Sequence, residues 1–133
     1  VLAMYRGKKT KKMTYHLKIA WDVDDTLIIP AGIVGDAEVP NYEVIAIYRW
    51  FQAQNHHLII WSGGGKDYAE MQARRLGLQA DEIIAKTTER KEEIDIAFDD
   101  ALVDLAKVNV HVKRINNHIE RYPKGERFTD KQK

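Results

Sequence analysis

At 133 residues, 44% hydrophobic and 31% charged, the chain has the size and make-up of one folded domain, not of a disordered polymer. It has no cysteine, which excludes disulfides and thiolate metal sites and fits a reducing, cytoplasmic setting; no apolar run nears the ~20 residues of a membrane span. The net charge of +1 hides an asymmetry: five of the 21 basic residues lie in 1–12, which has no acid, so 13–133 carry 16 basic against 20 acidic residues, a net of −4.

Residues 1–12 (with Arg6, Lys8, Lys9, Lys11 and Lys12) therefore read as a basic leader, disordered or appended, with Met13 a natural start. The mildly acidic body that follows gives nucleic-acid binding no support. Leu17 to Val23 (LKIAWDV) predicts a buried strand running into acids. Ile28 to Pro40 is apolar but broken by Pro30, Gly32, Gly35 and Pro40, the pattern of a hairpin-like excursion. From Asn41, a candidate N-cap, Val44, Ile45, Ile47, Tyr48 and Phe51 fall largely on one helical face. Leu58 to Trp61 predicts a second strand, and Lys66 to Leu76 a helix that Gly77 can close. Strands follow at Glu82 to Ala85 and Ile94 to Phe98, a short helix at Ala101 to Lys107, and a fifth strand at Val108 to Val112. A single domain over 13–119 with a polar, fraying tail at 120–133 is expected.

Strands alternating with helices predict a three-layer α/β/α, Rossmann-like parallel sheet of about five strands. Ligands of such sheets bind beyond the carboxyl ends of the strands. At those ends stand Asp22, Asp24, Asp25 and Thr26, then Ser62 and Gly63 to Gly65, then Lys86, then Asp99 and Asp100. Converging carboxylates repel one another unless a cation neutralises them, and an all-oxygen set favours Mg²⁺ over zinc. Ser62 and the glycines at a helix start offer a hydroxyl and backbone N–H groups to an anion, and Lys86 adds a compact charge. Each piece has a plainer reading: aspartates after strands cap helices and form turns, a glycine run can be only a tight turn, and a lone lysine is usually solvated. Their joint placement at strand ends is what makes the plain readings inadequate. Asp25 is expected to be structural, pointing away if the segment is extended. Trp21 and Trp61 are expected to pack beside the site, and the five histidines to be structural or solvated.

These residues resemble the haloacid dehalogenase superfamily of phosphohydrolases. Trp21–Leu27 (WDVDDTL) is similar to its DxDxT signature, LIIWSGG at 58–64 to its second motif, Lys86 to its third and DIAFDD at 95–100 to its acidic fourth. The resemblance spans about residues 17–112. It implies a Mg²⁺-dependent phosphatase in which Asp22 is the nucleophile that becomes an aspartyl phosphate and Asp24 the general acid, then base. It further implies that Mg²⁺ is held by the Asp22 side chain, the Asp24 carbonyl, Asp99 and Asp100, and the phosphoryl oxygens by Ser62, the Gly63 N–H and Lys86. Lys91 is a rival to Lys86, in a charged connection instead of a strand end, and Asp104 is a rival acid with an equally good capping role.

Neither Thr26 to Leu58 nor Ser62 to Lys86 has room for a folded cap, so a small capless member with an open site is expected. The substrate class is a phosphorylated small molecule or macromolecular end. Ile28 to Val39 is the candidate flap against substrate or against a second copy of the chain, which makes a homo-oligomer an expectation. Two other functions compete: a phospho-aspartate signalling module like response-regulator receivers, and a non-catalytic metal- or partner-binding protein. Against the first, Leu58–Trp61 ends in serine where receivers carry the phosphorylated acid; against the second, both Asp22 and Asp24 are present.

Overall fold

The computed structural model describes residues 16–115, so the basic leader and the polar tail lie outside the described residues. Along the chain run β1 (Lys18–Asp22), β2 (Ile28–Ile29), β3 (Val39–Pro40), α1 (Tyr42–Ala53), β4 (His57–Ser62), α2 (Lys66–Leu76), β5 (Glu82–Ala85), β6 (Ile96–Asp99) and β7 (Val108–His111). Five of the strands form a sheet in the order β5-β4-β1-β6-β7, every neighbouring pair parallel. The fold follows the three-layer, Rossmann-like α/β/α plan, one outer layer helical and the other irregular, with no separate cap domain among the described residues.

β1 is the centre of the sheet and is buried from Ile19 to Asp22, as a strand covered on both faces must be. Its alternation sorts the core. Ile19 and Trp21 join Leu58 and Ile60 of β4 with Val44, Ile45 and Tyr48 of α1 and Ala69 and Ala73 of α2. On the opposite face Ala20, Ile59, Trp61 and Ala97 cluster with Ile94, Leu105 and Ala106. Three alanines, Ala20, Ala97 and Ala106, share that cluster with the large Trp61 side chain and leave it room. On the first face the parallel register sets Trp21 beside Phe98, and their rings stack at 4.1 Å and 3°. Both tryptophans are fully buried and pack as expected, each with an indole N–H that has no acceptor.

Both helices belong to the first face. Asn41 occupies the N-cap of α1 through its backbone, whose carbonyl accepts from Ile45 N–H, and its side chain makes no capping bond. Gly77 closes α2 with φ +70°, the left-handed conformation that favours glycine. The excursion after β1 is a short antiparallel hairpin, Ile28 opposite Pro40 and Ile29 opposite Val39.

The helix expected at Ala101–Lys107 does not form. That segment is irregular: the Asn109 side chain takes the Leu105 N–H, which a helix would direct to the Ala101 carbonyl, at 2.9 Å, and Asp99 accepts from Ala101 N–H at the same distance. Asn109 also donates to the Ala106 carbonyl and to Asp104. Leu105 and Ala106 are thereby pressed onto the sheet while Leu102 projects into solvent, so the second outer layer is apolar contact without helical hydrogen bonding.

Candidate active site

The carboxyl ends of β1, β4, β5 and β6 open into one cleft of about 760 Å³, lined among others by Asp22, Asp24, Ser62, Gly63, Lys86 and Asp100. Asp22, the last residue of β1, is buried, and its Oδ2 accepts from the Thr26 hydroxyl at 3.2 Å. Three successive N–H groups, from Thr26, Leu27 and Ile28, turn back onto the Val23 carbonyl, so the chain leaves β1 in a tight loop. Asp25 sits in that loop at φ +66°, a conformation aspartate tolerates better than most residues. The extended alternation on which Asp25 would point away thus ends before it. Its buried carboxylate lies along the cleft, 3.7 Å from Arg114 Nε.

Lys86, directly after β5, reaches across β4 to the centre. Its Nζ is 2.8 Å from Asp22 Oδ1 and 2.7 Å from Asp99 Oδ2. Its own N–H donates to the Ser62 carbonyl at 2.9 Å, which fixes where the side chain begins. Lys91 points elsewhere and pairs with the exposed Asp104 at 2.5 Å, so neither of those two rivals meets the aspartates.

Asp22, Asp99 and Asp100 each offer a carboxylate oxygen, and the three oxygens lie within 4.8 Å of one another. The cluster can hold a divalent cation. Around it Asp22, Asp25, Asp99 and Asp100 outnumber Lys86 and Arg114, so the enclosed charge is negative. Burial pushes the Asp22 carboxyl up to about 8; Lys86 opposes the rise, while Asp99 and Asp100 add to it. Burial also pulls the Lys86 ammonium down, but Asp22 and Asp99 outweigh it and hold the group above its ordinary value. Such a site gains from any added positive charge.

Ser62 ends β4 with its side chain buried, and its Oγ accepts from Gly64 N–H at 2.9 Å. The glycines have separate reasons. A Cβ on Gly64 would press on the Tyr68 ring at 3.3 Å, and Gly65 has φ +105°. The Gly63 position is open.

Three features were not read from the sequence. Arg114, beyond β7, donates to Asp100 Oδ2 from Nε at 2.8 Å and Nη2 at 2.7 Å. Tyr68 donates to Asp24 Oδ1 at 2.6 Å; burial first, and then that bond, raise its phenol to about 12. Gln72 ties Tyr68 to Glu38 of the hairpin arm. A tyrosine and a glutamine four apart on α2 were a helical-face signal, but nothing local named their partners. His56 and His57 stand apart from the site, His56 Nδ1 accepting from Leu17 N–H and His57 pairing with Glu82, whereas His111 Nε2 lies 3.0 Å from the Asp100 carbonyl oxygen.

No protein-family model matches the chain, and neither a curated protein nor a solved structure matches it significantly. Among the described residues no helix is long and apolar enough to cross a membrane.

Proposed function

We propose that the protein is a Mg²⁺-dependent phosphatase of the haloacid dehalogenase type, hydrolysing a phosphomonoester through an aspartyl phosphate on Asp22. The observation that carries the reading is the meeting of Asp22, Lys86 and Asp99 within 2.8 Å contacts at the sheet's carboxyl edge, from three separate strand ends. Asp22, Asp99 and Asp100 form an all-oxygen donor set with excess negative charge, which suits Mg²⁺, the Asp24 carbonyl being the further ligand. When bound, Mg²⁺ shields the approach of a carboxylate to an anionic phosphate and stabilises the transferring group.

The chain's own residues divide the rest of the work. Asp22 attacks phosphorus from a position held by Thr26, while Lys86, Ser62 and the Gly63 N–H receive the phosphoryl oxygens. Asp24 stands at the cleft wall, protonates the leaving oxygen and then takes a proton from water. The absence of a cap domain and the wide cleft favour a phosphate on a macromolecular end or on a small molecule covered by a neighbouring copy.

Phosphate release from an aryl phosphate and a panel of natural monoesters tests the reading, with Mg²⁺ or chelator and with wild type beside Asp22→Asn. Mg²⁺-dependent release that the variant loses by more than about 10³-fold supports it. Near-wild-type turnover by a folded Asp22→Asn protein removes Asp22 from its role. Silence of the wild type on every monoester shifts the reading to a signalling or binding protein.

A further inference from the structure

Asp24 is exposed at the cleft, where a carboxylate on a loop would ordinarily sample several orientations. Here one oxygen is held. Tyr68 Oη lies 2.6 Å from Asp24 Oδ1, across 44 residues of sequence. Behind Tyr68 stands Gln72, 2% exposed, whose Nε2 reaches Tyr68 Oη at 3.0 Å and the two Glu38 carboxylate oxygens at 3.2 and 3.4 Å. The Glu38 carboxylate can only accept, so the Gln72 amide must present its NH₂ on this side. One of those protons goes to Glu38 and the other to the Tyr68 oxygen. Tyr68 has a single proton of its own, and it is left to point at Asp24 Oδ1.

We infer that Tyr68 is a positioning residue for Asp24: by donating to Oδ1 it assigns the proton exchanged in turnover to Oδ2. The inference rests on the phosphatase reading above. As the Asp22–phosphorus bond forms and the bond from phosphorus to the leaving oxygen breaks, the proton on Asp24 Oδ2 passes to that oxygen. In the second half Oδ2 takes a proton from water as the water oxygen bonds to phosphorus, Asp22 is released and inorganic phosphate departs. The Tyr68 proton stays on Tyr68 throughout. Because Gln72 also binds Glu38, which Arg75 holds at 3.2 Å, the orientation of Asp24 is tied to the hairpin arm that ends at β3.

Leaving-group dependence separates this role from a merely structural one. An alkyl phosphate needs its leaving oxygen protonated, whereas 4-nitrophenolate departs without help, and kcat/KM reports the steps up to that departure. In Tyr68→Phe, kcat/KM for an alkyl phosphate should fall at least ~10-fold, part of the 10²–10⁴ that general acid catalysis contributes. With 4-nitrophenyl phosphate it should stay within about twofold of wild type. Gln72→Leu, which frees Tyr68 without touching Asp24, should show the same selective loss at smaller size, and decides the matter if Tyr68→Phe does not fold. An equal loss on both substrates, or none on the alkyl phosphate, overturns the inference and leaves the phosphatase reading intact. A wild type that hydrolyses neither of these two nor any monoester of the panel overturns both.

Discussion

Replacing Lys86 by methionine removes the ammonium that touches both Asp22 and Asp99, at 2.8 and 2.7 Å, while keeping most of the stem that packs below it. The two carboxylate side chains are only 7% and 5% exposed, so water cannot replace the lost partner well. Breaking a buried ion pair from one side costs roughly 3–5 kcal/mol. The lower figure applies here, because burial already favours the neutral form of Asp22, so that carboxyl is not left a bare anion. We expect Lys86→Met to lose about 3 kcal/mol by urea unfolding in chelator, a melting temperature more than ~10 °C lower for a domain of this size. Saturating Mg²⁺ should narrow the gap by at least about 1 kcal/mol, since the cation supplies the charge the variant lacks and binds only the folded cluster. A gap that is absent in chelator, or the same with and without Mg²⁺, refutes the account of the cluster as two buried carboxylates sharing one cation.

Two further outcomes follow from contacts away from the cleft. Glu82 accepts from Arg90 at 2.7 Å and pairs with His57 at 2.6 Å; the Arg90 bond first, then His57, hold its carboxyl down at about 2 against an ordinary 4.5. Its contribution is complete above pH 4.5 and is lost as pH falls towards 2, so the stability gap between wild type and Glu82→Gln should close over that window; a gap constant from pH 6 to 2 contradicts this. Asn109→Ala should cost about 1–2 kcal/mol and speed amide exchange at Leu105 selectively, with β1 amides slowed or sped only by the global change. Unaltered exchange at Leu105 would mean that packing alone holds the 101–107 segment.

The strands were legible because each is a short apolar run that ends in chemistry-bearing residues, and the parallel order follows once helices are found between them. Even the register matters to the reading, since it brings Asp22, Ser62 and Asp99 to one edge: Asp22 pairs with Trp61, Ser62 with Ala85, and Asp99 with His111. The failure at 101–107 has the opposite cause. ALVDLAK has helical composition, but the Leu105 N–H that a helix would pair with Ala101 is claimed by the Asn109 side chain of β7. Intrinsic propensity is a weak prior, and an acceptor fixed on a neighbouring strand overrides it.

The site divides along the same line. Asp22, Lys86 and Asp99 are each announced by a strand immediately before them, so their meeting follows from topology. Asp25 is not, because one left-handed residue turns the chain and cancels any argument from alternation. Nothing local names the partners of Arg114 and Tyr68. Arg114 finds Asp100 across 14 residues and Tyr68 finds Asp24 across 44, in each case because two elements place a long side chain beside a strand-end loop. The glycine at 64 shows how such a partnership can still leave a trace. A Cβ there would press on the Tyr68 ring at 3.3 Å, so the run that reads as a phosphate cradle also leaves room for the ring whose hydroxyl reaches Asp24. One sequence feature thus serves two neighbours, and only the first was visible from spacing.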